Sequence, residues 1–138
     1  MKIKQAAFLS LVLSAMIQLP AFAEEAVKLT AEYEQCQDRA ESNTSRLLEC
    51  EAAEFERQDR RLNLAYHSLN PLLPKSKAEE LRVVQRKWLA YVESKCGFWF
   101  DREDFSGTLD RLVANHCNVI ERAMRADELE VLIRHQGG

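Results

Sequence analysis

The sequence predicts an all-α fold, a small antiparallel helical bundle of about four helices stapled by two disulfides. Three observations carry that expectation. Helix breakers are scarce: glycine stands only at 97, 107, 137 and 138, and beyond Pro20 the prolines are Pro71 and Pro74, so long stretches are free to be helical. Apolar residues recur at alternating spacings of three and four, the period of a helix with one buried stripe. Four cysteines, Cys36, Cys50, Cys96 and Cys117, form the even count that two bridges require.

The first 23 residues read as a leader rather than as part of the fold. Lys2 and Lys4 precede the apolar run AAFLSLVLSAMI, then Pro20 and the small-residue pattern Ala21-Phe22-Ala23. This is the layout of a secretory signal peptide cleaved near Ala23. The run is short for a membrane span, and no cysteine lies at the cleavage site to carry a lipid, so the mature form is expected without a membrane anchor. Residues 24–138 then make one domain of 115 residues, enough for a small core.

A first helix is expected from Glu25 to about Ser42, with Leu29, Tyr33 and Cys36 on one side. SNTS at 42–45 breaks it and supplies an N-cap from Asn43, Thr44 or Ser45. The second helix carries the clearest seam: Leu48, Ala52, Phe55, Asp59, Leu62, Tyr66, Leu69, Leu73. Asn70-Pro71 and Pro74 end it, because proline lacks a donor and restricts its predecessor. A capping box, Ser76-x-x-Glu79, opens a third helix, whose stripe runs Leu81, Val84, Gln85, Trp88, Tyr91, Val92, Lys95, Trp99. After a turn segment between Gly97 and Gly107, a fourth helix starts near Thr108. Leu112, Val113, Cys117, Ile120, Ala123 and Met124 face inward on it, with Leu129, Leu132 and Ile133 in its last turns.

In an exported chain the cysteines read as disulfides. Counting leaves three connectivities open. Local pairing, Cys36–Cys50 with Cys96–Cys117, closes short loops, each contributing roughly 3 kcal/mol by loop entropy, and would staple each helix to the next. A zinc site would need clustered spacings such as C-x-x-C, and none occurs. Without Lys2 and Lys4, 17 basic residues face 22 acidic ones, a net charge near −5. That balance argues against nucleic acid or anionic membrane as the main partner and suits a cationic one. His67, His116 and His135 lack metal-ligand spacing, and no glycine-rich phosphate loop is present. No two acids are singled out as a catalytic pair. The chain therefore reads as a non-enzyme without cofactor or metal.

Two groups of residues stand out. Asp59 falls on the seam of the second helix with Asn63 one turn on, while Gln85, Arg86 and Trp88 cluster on the third. A carboxylate turned inward must be paired or hydrogen-bonded, and Arg86 and the Trp88 indole are the expected donors. These five residues are expected to form a polar clasp between the two helices. The second group is the segment 98–105, in which Phe98, Trp99 and Phe105, with Asp101 and Asp104, gather aromatics and acids beside Cys96. Such a mixture suits the core of a protein interface.

The ordered combination is specific enough to compare with a known family. Cys36 and Cys50 are followed by Asp59-x-x-Leu62-Asn63-x-x-Tyr66, then Leu81-x-x-x-Gln85-Arg86-x-Trp88-Leu89-x-Tyr91, Cys96, and Cys117 with Arg125 and Leu129. This pattern resembles the LprI-type lysozyme inhibitors and covers nearly all of the mature chain. Two positions depart from the family: Val92 stands where a basic residue is frequent, and the glycine-rich loop shrinks to Ser106-Gly107. The resemblance implies an all-helical, disulfide-stapled periplasmic or secreted domain that binds and inhibits a lysozyme, a protein partner that is commonly basic. The alternative is an envelope interaction protein, a toxin-immunity or assembly factor, using the same bundle on another partner.

Overall fold

The computed structural model describes residues 27–98 and 107–136; residues 1–26, 99–106 and 137–138 lie outside them. Among the described residues there are four α-helices and no strand: α1 (Ala31–Ala40), α2 (Thr44–Leu69), α3 (Lys75–Phe98) and α4 (Thr108–Gln136). Both local disulfides are present, Cys36–Cys50 and Cys96–Cys117.

Local chemistry sets the ends of the helices. The Thr30 hydroxyl accepts from the Tyr33 amide and caps α1, which starts later than the expected position 25. Glu41 and Ser42 then take left-handed backbone angles, ending α1 without the glycine usually found there. The Asn43 side chain accepts from the Arg46 amide and caps α2. A single 3₁₀ turn, Asn70–Leu72, joins α2 to α3. Ser76 lies inside α3 rather than capping it, because the helix already begins at Lys75, with the Ala78 amide bonded to the Pro74 carbonyl.

Successive helices run antiparallel, as expected from short connections. Cross-helix contacts give the rest of the arrangement. Glu51–His116, Asp59–Arg122 and Arg61–Asp127 climb α2 and α4 together, so these two lie parallel. Cys96–Cys117, Lys95–Glu121 and Gln85–Arg125 climb α4 while descending α3. Helix α4 therefore packs against both α2 and α3. The main core sits where α2 and α3 converge on their connecting turn: Leu62, Ala65, Leu69, Ala126 and Leu129, flanked by Tyr66, Leu73, Leu81, Trp88 and Ile133. Leu69 and Leu129 are fully buried, each contributing about 2–3 kcal/mol. A smaller cluster, Tyr33, Ala40 and Cys50 with Leu29, Cys36 and Leu47, holds α1 on α2.

The buried line of α2 differs from the expected seam. It runs Cys50, Glu51, Glu54, Gln58, Leu62, Ala65, Leu69; Ala52 is exposed and Phe55, Asp59 and Tyr66 are half-buried. The polar members are buried because the segment before α1 and α1 itself pair with them: Thr30 and Tyr33 donate to Glu54 and Glu51, and the Lys28 carbonyl accepts from Gln58. On α3 only Val92 and Cys96 are buried, while Val84 and Tyr91, expected inside, are about half exposed. On α4, Val113 and Met124 likewise turn outward, whereas Ala114, Val119, Ala123, Ala126 and Leu129 are buried.

Candidate functional site

Two buried carboxylates on α2 moor the start of the domain. Glu54 is fully buried and accepts from the Thr30 amide at 3.0 Å, the Thr30 hydroxyl at 2.6 Å, Arg57 at 2.7 Å and Gln58 at 2.7 Å. Burial pushes its pKa up, but the bonds from Gln58, Thr30 and Arg57 outweigh burial and hold it below the ordinary range. One turn earlier, Glu51 Oε1 accepts from the Tyr33 hydroxyl at 2.6 Å and Gln37 at 3.3 Å, and lies 3.2 Å from His116 Nδ1. Burial and the bond to Glu51 raise the Tyr33 phenol. The same carboxylate raises His116, its hydrogen bond outweighing partial burial. This network joins α1, α2 and α4, and neither glutamate stood on the seam expected for α2.

The expected clasp is rearranged. Asp59 accepts from Arg122 of α4 at 3.1 Å and from Asn63 at 3.0 Å, not from Arg86 or Trp88. The reason is the packing order: α4, rather than α3, is the helix beside this part of α2. Asn63 and Arg86 are exposed. Gln85 bonds Arg125 of α4 at 3.1 Å, and Trp88 is half-buried against the main core. Asp59 thus holds an arginine of α4 instead of locking α2 to α3.

That arginine belongs to a groove. Away from their shared turn, α2 and α3 form two walls and α4 the floor. Arg122 stacks over the Phe55 ring, 4.0 Å from its centroid, and donates to the Asn118 side chain at 3.1 Å. The ridge of Asn118 and Arg122 has a hollow on each side. Toward α2 lies one of about 460 Å³ lined by Glu51, Ala52, Phe55, Glu56 and Asn115. Toward α3 lies one of about 510 Å³ lined by Leu89, Val92, Glu93, Cys96, Gly97 and Ala114 among others. The Cys96–Cys117 bridge and the Lys95–Glu121 pair fix the α3 wall to the floor.

Of the segment expected to contact a partner, Phe98 closes α3 and is 78% exposed. It adjoins Gly97 at the end of the groove. Trp99, Asp101, Asp104 and Phe105 lie outside the described residues. Among the described residues no helix is long and apolar enough to cross a membrane, and no group of three or more His, Cys, Asp and Glu side chains is arranged to hold a metal ion.

No curated protein and no solved structure matches the chain. The family described as "Lysozyme inhibitor LprI" matches it over residues 36–129, a span that starts at the first cysteine and ends at the core residue Leu129. It takes in both disulfides, the Asp59–Arg122 pair and the groove. On that match, the chain belongs to the LprI lysozyme inhibitor family.

Proposed function

We propose that residues 24–138, released from a leader cleaved near Ala23, act in the periplasm or outside the cell by blocking a peptidoglycan-cleaving lysozyme. Membership of an inhibitor family is the observation that carries this reading. Inhibition is non-covalent and stoichiometric: the domain occupies a surface of the enzyme and performs no chemistry of its own. The chain is acidic, with a formal charge of −3, and a basic lysozyme is its electrostatic complement. The segment carrying Phe98, Trp99, Asp101, Asp104 and Phe105 contributes aromatic anchors and carboxylates to the contact.

Titration of the purified mature domain against lysozyme, read as cell-wall lysis, tests the proposal. The expected result is a linear loss of lysis that reaches its end near equimolar inhibitor. Undiminished lysis at excess inhibitor, across chicken-type, goose-type and invertebrate-type enzymes, would remove it. Charge reversal at Asp101 and Asp104 is expected to weaken inhibition; unchanged potency would deny those acids an electrostatic role.

A further inference from the structure

We infer that the groove between α2 and α3 is the seat for a loop of a basic partner protein. This rests on the lysozyme reading above and extends the contact from the 98–105 segment onto the helical body. The shape comes first. Two hollows of about 460 and 510 Å³ lie on either side of the Asn118–Arg122 ridge, a form that accepts side chains to the left and right of a chain passing over the ridge. Their walls present apolar side chains, Phe55 and Ala52 on one side and Leu89 and Val92 on the other. Leu89 keeps 46% of its surface exposed, and burying it under a partner is favourable.

The polar groups select a polypeptide over a simple anion. Asn115 borders both hollows, is half-buried, and its side chain makes no hydrogen bond among the described residues. Its amide offers one donor group and one acceptor, the pair a peptide unit matches. Arg122 is already engaged by Asp59 and Asn118, so it does not stand as a free cation awaiting an anion. Each rim carries an exposed carboxylate, with Arg111 of α4 also lining the α3 hollow. Glu56 on the α2 wall is 72% exposed and meets Arg60 at 3.6 Å. Glu93 on the facing wall is exposed and forms no ion pair among the described residues. Apolar walls with a carboxylate on each rim complement a loop that carries lysine or arginine.

Calorimetric titration with a basic chicken-type lysozyme tests the seat. The variants are Glu56→Lys/Glu93→Lys and Leu89→Arg, beside Glu32→Lys/Glu79→Lys as a charge-matched change elsewhere on the surface. All substituted positions are exposed, and circular dichroism checks each fold. The groove variants are expected to raise Kd by about tenfold or more and the control by less than about twofold. Wild-type binding that persists unchanged in both groove variants overturns the seat and leaves the lysozyme reading standing. Absence of any wild-type binding overturns both. Loss on Asp101→Lys/Asp104→Lys alone, with the groove variants intact, confines the contact to the segment and also overturns the seat.

Discussion

Asp59 and Glu54 are both carboxylates on α2, five residues apart, yet their surroundings assign them different weights. Asp59 is 40% exposed and meets Arg122 at 3.1 Å, while Arg122 keeps Phe55 and Asn118 when Asp59 is removed. Asp59→Ala is therefore expected to cost only about 1 kcal/mol. Glu54→Ala strands the Thr30 amide, Arg57 and Gln58 around a buried void, at about 3 kcal/mol or more. Urea unfolding of the two variants checks the order; a larger loss for Asp59→Ala would refute it. His116 adds a pH signature. Its pKa is raised in the fold by Glu51, so its contribution is full below the ordinary imidazole value and fades as pH rises through the folded one. Wild-type stability should decline through that window, and the decline should flatten in His116→Gln, measured as urea midpoints from pH 5 to 9. Glu54, held low, acts with the opposite sign: its contribution is present above the ordinary carboxylate range and is lost as pH falls through its folded value.

At the level of the helix, α1 has ten residues, too few to persist alone in water. It holds its place through the Cys36–Cys50 bridge, the Tyr33 cluster and the buried carboxylates of α2. Replacing both Cys36 and Cys50 by serine is expected to remove about 3 kcal/mol. Amide exchange should then quicken in α1 well before α4. Equal loss of protection in the two helices would show that α1 is no separate unit. Helix α3 is the opposite case, 24 residues with only Val92 and Cys96 buried. It is held from one side by α4, which leaves Leu89 and Glu93 on the groove wall and Val84 and Tyr91 on the other flank exposed. A stripe read from spacing alone assigned Val84 and Tyr91 to the interior, because helical periodicity states a direction but not how wide the covering neighbour is.

For the whole molecule, parallel packing of α2 on α4 with α3 on the other flank produces both the core and the groove. The helices close together at the Asn70–Leu72 turn, where the apolar side chains concentrate, and at the open end the apolar Phe55, Leu89 and Val92 of the walls meet the polar Asn115, Asn118 and Arg122 of the floor. If the acidic surface guides association with a basic lysozyme, affinity should fall as salt rises from about 0.05 to 0.5 M, chiefly through slower association. Association rates measured by stopped flow check this; a salt-independent rate would leave the contact to apolar burial alone.

The sequence by itself determined the helices, their approximate limits and a resemblance whose cysteine pattern agrees with the two bridges found. Breakers, caps and local cysteine spacing act within one chain segment, so they are legible without a fold. Tertiary structure alone decided which face of each helix is covered. Glu51, Glu54 and Gln58 replaced the expected apolar members of the α2 seam because their partners, Tyr33 and Thr30 as donors and the Lys28 carbonyl as acceptor, come from a separate segment. The partner of Asp59 changed from a residue on α3 to Arg122 for the same reason. A carboxylate's burial depends on what reaches it from elsewhere in the fold, and spacing along its own helix carries no record of that.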